Sequence, residues 1–234
     1  MMEPITKTMP TAVEIGNHEC YDNANGILAI SAQYRFAGMP FGSRTDKAGQ
    51  QGTFYYSYED GPMHAISLAS FPTAYDFSAS SEMTVWLKAD LASVDRTVTP
   101  WIVVNIHAPW YNSNTQHTRD GAAMQTAYES LFVQYKVNIV YSGHVHAYQR
   151  SLPVVNGKVM PDGQGIVHVT SGDGGASLYT KWVSPTPAWS AVNRAEYGHS
   201  EITFMNETHA HHTWRRNADN EPVVADEAWL VNWA

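Results

Sequence analysis

From position 101 to 106 nearly every residue is apolar, and short apolar runs recur at 138–141 and 165–170. Unbroken runs of this length predict central strands covered on both faces. The stretches between them follow a helical period instead. Within 81–95, Met83, Leu87, Leu91 and Val94 fall on one helical face, and Ser80 or Ser81 is placed to cap the first turn. Within 120–136, Met124, Tyr128, Leu131, Phe132 and Tyr135 repeat that spacing. Upstream, 11–15 reads as a short strand ended by Gly16, and 21–50, rich in Gly, Asn and Ser, as a long ordered loop. Residues 53–58 and 63–70 flank Glu59-Asp60-Gly61-Pro62, which predicts a hairpin. From His199 onward three strand-like segments follow, around Ile202, Thr213 and Trp229. Strands alternating with helices, then a strand-rich end, predict an α/β chain: a layered sandwich of mixed sheets flanked by helices. Residues 1–234 read as one domain, with 199–234 as its strand-rich C-terminal segment.

Composition narrows the function classes. The chain has 234 residues, 44% hydrophobic and 15% charged, which excludes a disordered polymer. A net charge of −8 argues against nucleic acid as a partner. One cysteine, Cys20, excludes a disulfide scaffold and a Cys-rich zinc module, and reads as a packed thiol. No apolar run reaches the roughly 20 residues needed to span a bilayer, so no membrane partner is expected. The opening MMEPITKTMP has no apolar signal core. The excess lies elsewhere, in eleven histidines.

Their placement carries the chemistry. Gly16-Asn17-His18-Glu19, His107-Ala108-Pro109-Trp110-Tyr111-Asn112 and Ser142-Gly143-His144-Val145-His146 each follow a predicted strand. In open α/β sheets ligands bind beyond the carboxyl ends of strands, so the three motifs should converge on one edge. Asn17, His107, His144 and His146 supply an amide oxygen and three imidazoles, donors that suit zinc, iron or manganese. His-x-His on an extended segment would send its two rings to opposite sides, towards two different ions. Two ions about 3.5–4 Å apart are the usual device for in-line attack on phosphorus. His18, beside Asn17, would then face a ligand rather than a metal. One such short motif is usually structural; three of them, each after a buried strand, are not. By contrast, His209, His211 and His212 read as strand residues near Trp214, and Asp173 in Gly172-Asp173-Gly174-Gly175 reads as a turn.

At these residues the chain resembles the purple acid phosphatases, a branch of the calcineurin-like metallophosphoesterases. The runs that carry the likeness are Gly16-Asn17-His18-Glu19, Asn105-Ile106-His107-Ala108-Pro109-Trp110-Tyr111-Asn112-Ser113-Asn114 and Gly143-His144-Val145-His146-Ala147-Tyr148-Gln149-Arg150. The second run and the end of the third are the more specific. The likeness extends to the tail, at Thr208-His209-Ala210-His211 and Trp214.

The resemblance implies a binuclear centre in which Fe(III) and a divalent ion, Zn(II), Mn(II) or Fe(II), share a bridging aspartate. It implies that Asn17, His107 and His144 hold the divalent ion and His146 the ferric ion. It implies that His18 and His117 contact substrate phosphate, one of them protonating the leaving alkoxide, while metal-activated hydroxide attacks small phosphate monoesters at acidic pH. Two departures, Gln116 and Gln149 in place of a frequent His and Glu, are expected to tune substrate binding and pH profile. The family's upstream Asp-x-Gly and Gly-Asp-x-x-Tyr runs are expected to lie before this chain's first residue, and Gly172-Asp173 followed by Tyr179 has the wrong spacing and the wrong place to replace them. Met1-Met2-Glu3-Pro4 resembles the helix after the second run. The expectation is therefore a chain lacking its first strand-helix units, inactive alone and holding at most one divalent metal weakly. The complete protein is expected to be secreted, vacuolar or lysosomal, with Asn206-Glu207-Thr208 as a glycan acceptor and a homodimer allowed. A nucleotidase or phosphodiesterase, a catalytically dead metal-binding homologue, and purely structural histidines remain the alternatives.

Overall fold

A computed structural model describes residues 8, 11–21, 23–24, 27–36, 54–71, 76–218 and 223–234. In chain order they form α1 (Asn17–Tyr21), β1 (Asn23–Ala24), β2 (Ile27–Leu28), α2 (Ile30–Phe36), β3 (Tyr55–Asp60), β4 (Met63–Leu68), α3 (Glu82–Ser93), β5 (Trp101–Ile106), α4 (Ala122–Gln134), β6 (Ile139–Ser142), β7 (Tyr148–Ser151), β8 (Val154–Val155), β9 (Lys158–Val159), β10 (Val167–Ser171), β11 (Ser190–Arg194), β12 (Gly198–Phe204), β13 (His209–Arg216) and β14 (Val223–Val231). Among the described residues no helix is long and apolar enough to cross a membrane.

A seven-stranded mixed sheet runs β11-β7-β10-β6-β5-β4-β3. Its centre is parallel, through β4–β5, β5–β6 and β6–β10. Its flanks, β3 on β4 and β7 and β11 beyond β10, are antiparallel. The period of two along β5 explains the layers. Ile102, Val104 and Ile106 join the core under the helices, with Met83, Leu87 and Leu91 of α3 and Met124, Leu131 and Phe132 of α4. Trp101 and Val103 face the other way, onto Ala210, Trp214 and Leu230 of the three-stranded sheet β12-β13-β14. The mixed sheet thus lies between helices and a second sheet, the layered α/β sandwich expected from the sequence.

One polar cluster joins the two sheets. Asp226 on β14 accepts from Arg150 Nε at 2.7 Å and Nη2 at 2.9 Å, and from Tyr148 Oη at 2.6 Å. His212 on β13 lies between the hydroxyls of Tyr148 (3.0 Å) and Tyr141 (2.9 Å). Burial first, then the Arg150 charge, pushes its pKa down to about 4. These pairings explain β7, which the hydrophobic pattern does not reveal: its polar side chains are wholly or partly buried because they have partners.

Several sequence expectations match closely. Residues 101–106 are β5, and Ser81 caps α3 by accepting from Thr84 N at 3.3 Å. Others need correction. Residues 11–16 form no strand; the segment is tied down by a side chain, Tyr56 Oη donating to Val13 O at 2.6 Å, and Ile15 buries without a ladder. The expected loop at 21–50 contains the β1–β2 pair and α2, while 37–50 and the helix suggested at Met1-Met2-Glu3-Pro4 lie outside the described residues.

Candidate functional site

Because β4, β5, β6 and β10 run parallel, their carboxyl ends share one side of the sheet. Each end opens a loop that builds the site. After β4, Ser70 Oγ accepts from the backbone N–H groups of His107 (3.0 Å) and Ala108 (2.9 Å), fixing the turn after β5. After β6, Gly143 N donates to His107 O at 3.1 Å, so the second and third motifs are bonded to each other. After β10, Gly172 passes so close to Val145 that a Cβ would lie 2.1 Å from its carbonyl oxygen. The first motif arrives from α1. Gly16 packs on the His107 ring, where a Cβ would lie 2.6 Å from Cε1.

The His-x-His segment is not extended as the sequence suggests. Residues 144–147 form bends, with His144 in the left-handed region at φ 61°. The two rings still diverge, by a different cause: His144 Nε2 lies 2.9 Å from Asp120 Oδ2, whereas His146 Nδ1 donates to Ser177 O at 2.9 Å and its ring stacks on Tyr179 at 4.5 Å. His117, also left-handed at φ 55°, places Nδ1 2.9 Å from the same Asp120 oxygen. Backbone strain of this kind concentrates where side chains must be aimed.

Asn17, His18, His107, His117, His144 and His146 all line one cavity of about 410 Å³, closed on one side by the glycine loop 172–175 and Tyr179. Asn17 Oδ1 is 3.0 Å from His107 Nε2. The His107 and His144 rings are 5.0 Å apart, those of His117 and His144 4.0 Å, and Phe71 packs on His107 and His144. Burial, then the neighbouring His144 ring, pushes the His107 pKa down to about 3, so this imidazole is neutral and free to ligate. Burial also lowers His144, against the Asp120 hydrogen bond. Asp120 is desolvated too, but its bonds to His144 and His117 outweigh that and hold its carboxyl below the usual range.

All six residues singled out from the sequence therefore share one cavity. Three more were not foreseen. Asp120 reads in sequence as the start of a helix; its spacing of three from His117 is the only signal. Tyr179 comes from a distant loop. Glu14 is largely buried beside His107, its Oε2 3.7 Å from Nδ1 and its Oε1 without a partner; burial, then Glu19, holds its pKa well above the ordinary value. Asp173 is more than a turn: it is fully buried and accepts from Trp214 Nε1 at 2.7 Å. His209, His211 and His212 lie on β13 as read, with His211 stacked on Trp229. Cys20 is a buried free thiol, pushed up to about 11 by burial and then by Glu14.

Comparison with known proteins points one way. A family profile described as Calcineurin-like phosphoesterase matches residues 1–148, and one described as Iron/zinc purple acid phosphatase-like protein C matches residues 165–227. Purple acid phosphatase 18 of Arabidopsis thaliana is 40% identical over 235 residues, covering 98% of this chain and 51% of that protein. Purple acid phosphatase 1 of Ipomoea batatas is 38% identical over 236 residues, covering 94% and 48%. A solved structure, purple acid phosphatase PPD1 from yellow lupin (Lupinus luteus) seeds, shares the fold, with a TM-score of 0.82 at 24% identity over 99% of this chain and 42% of that one. The chain spans about half the length of the curated relatives it matches.

Proposed function

Since this chain belongs to the calcineurin-like phosphoesterases, in their purple acid phosphatase branch, we propose that the protein containing it is an acid phosphatase acting on small phosphate monoesters. The family implies a binuclear centre of iron and a second metal. Of that centre, Asn17, His107 and His144 are this chain's ligands for the divalent ion, zinc, manganese or iron(II), and His146 its ligand for Fe(III). The observation that carries the reading is the shared cavity: an amide oxygen and three imidazoles face a space that also holds two further histidines.

The donors fit such a group. His107 is held neutral by burial and presents Nε2 beside Asn17 Oδ1. His146 donates from Nδ1 to a backbone carbonyl, which leaves Nε2 as the ligating nitrogen, the outer-shell arrangement usual for metal-bound histidine. When bound, the ions supply Lewis-acid polarisation of the phosphoryl group and of a water. The chain's own residues do the rest. His18 and His117 contact the phosphoryl oxygens, and one of them protonates the leaving alkoxide. Asp120, bonded to His117 Nδ1, fixes the orientation of that ring. The glycine loop 172–175 and Tyr179 shape the wall against which the ester group sits. Asn206, exposed between β12 and β13 with Oδ1 accepting from Thr208 Oγ1 at 2.8 Å, is the glycan acceptor if the protein enters a secretory pathway.

The test is an assay of the protein expressed with whatever its gene places upstream of Met1, on an aryl phosphate monoester and the matching diester, with metal analysis. Monoester hydrolysis at acidic pH is expected, and His107→Ala should lower kcat/KM by more than about 100-fold, beyond the loss typical of an outer-shell partner. Preference for the diester would replace this reading with a phosphodiesterase. Bound metal with neither activity would mean a dead homologue.

A further inference from the structure

We infer that Asn112 and Gln149 are positioning residues for His117: together they hold the backbone at 116–117 in the turn that aims the His117 ring into the cavity. The inference rests on the reading of that cavity as a phosphatase site. His117 carries a Cβ, yet its φ is 55°. The left-handed region is disfavoured for such a residue, and it persists only where surrounding groups impose it. Asn112 imposes it here. Its Nδ2 donates to Gln116 O at 2.7 Å and to His117 O at 3.2 Å. One amide group thus grips the carbonyls immediately before and after the strained residue.

Backbone groups dictate which way both amides face, because carbonyl oxygens only accept and N–H groups only donate. Asn112 must turn Nδ2 to the two carbonyls and Oδ1 to Asn114 N, 2.8 Å away. Gln149 must turn Oε1 to Ser113 N at 2.8 Å, which leaves its Nε2 to donate to Asn112 Oδ1 at 3.0 Å. Gln149 is itself a fixed point. It is 3% exposed and sits on β7 between two strands, paired with Thr170 of β10 and Asn193 of β11. An inner strand therefore reaches the His117 backbone through two side chains. Asp120 acts on the same residue in another way: its bond to Nδ1 sets the rotation of the ring, whereas the amides set where the backbone points it. Neither Asn112 nor Gln149 lines the cavity, so both act through His117.

The experiment uses the protein expressed with whatever its gene places upstream of Met1. Asn112→Asp keeps the size and the Oδ1 acceptor but puts an oxygen where the gripping N–H groups were. Gln149→Met keeps the length and removes both bonds. At a pH where the introduced carboxyl is ionised, each variant should lower kcat on an aryl phosphate monoester by about 10–100-fold, with metal content unchanged. Combined with His117→Ala, neither should lower kcat more than about threefold further, because the ring they aim is gone. The NMR signals of the His117 imidazole should shift in both variants, while those of His212 on β13 stay. Circular dichroism checks the fold; Asn112 is only half-buried, so Asn112→Asp decides if Gln149→Met does not fold. A parent-like kcat overturns the inference. So do parent-like His117 signals, or a loss that multiplies in full with that of His117→Ala. A parent without monoester hydrolysis sinks the phosphatase reading instead, and the positioning of His117 is then judged on its NMR signals alone.

Discussion

The indole N–H of Trp214, on the small sheet, donates to Asp173 Oδ2 at 2.7 Å, and both residues are fully buried. Asp173 sits between Gly172 and Gly174, which line the cavity, and its Oδ1 accepts from Ser171 Oγ at 3.0 Å. One carboxylate thus ties the C-terminal sheet to the loop that shapes the site. Asp173→Ala leaves the buried indole N–H without an acceptor, a loss of about 1–3 kcal/mol. Urea denaturation should show it, with Asp173→Asn costing less because an amide oxygen can still accept. Equal stability for the alanine variant and the parent would mean that this bond holds nothing together.

Gly16 is required by close approach. A methyl group there would lie 2.6 Å from His107 Cε1 and 2.7 Å from Nε2, so the ring must swing away from Asn17. Gly16→Ala should weaken divalent-metal binding in the phosphatase centre by about 10–100-fold, the range seen when a ligand's orientation is disturbed. Metal titration of the variant beside the parent checks this, and equal affinity would show that the ring clash is absorbed elsewhere.

His168 makes stability depend on pH. Burial holds it neutral, with its pKa pushed down to about 3 from 6.5, and its Nε2 has no partner. Between those two values the unfolded chain takes up a proton that the folded chain refuses. Stability therefore falls as pH drops from about 6.5 towards about 3, by up to about 1.4 kcal/mol per pH unit from this group, and levels off below. His212 adds to the fall in the same sense. Phenylalanine keeps the ring contacts with Tyr111 and Trp110, 4.6 and 5.9 Å away, and cannot titrate. His168→Phe should flatten the plot of unfolding free energy against pH below about 6.5. An unchanged slope would place the acid sensitivity in other groups.

The local pattern determined more of this protein than its loops would suggest. The apolar run at 101–106 became β5 without a shift in boundary, because a strand covered on both faces needs apolar residues everywhere and little else does. The α3 and α4 periods were legible for the same reason: one face of each packs on the sheet. His107, His144 and His146 were legible because parallel strands deliver their following loops to one edge; Asn17 and His18 reach the same cavity from α1, and His117 was expected only from the family resemblance.

What tertiary structure alone decided are the partners. Tyr148, Gln149 and Arg150 look too polar for an inner strand; the first two are buried and Arg150 partly so because Asp226, 76 residues from Arg150, and Ser113 complete their bonding. The 11–15 segment looks like a strand and is not one: Ile15 is buried, but the backbone joins no ladder. Asp120, Tyr179 and Glu14 enter the site from segments with no motif of their own. A residue's charge and shape are written locally, but whether a charge is neutralised, stacked or left unpaired depends on groups that only the folded chain brings within about 3–4 Å.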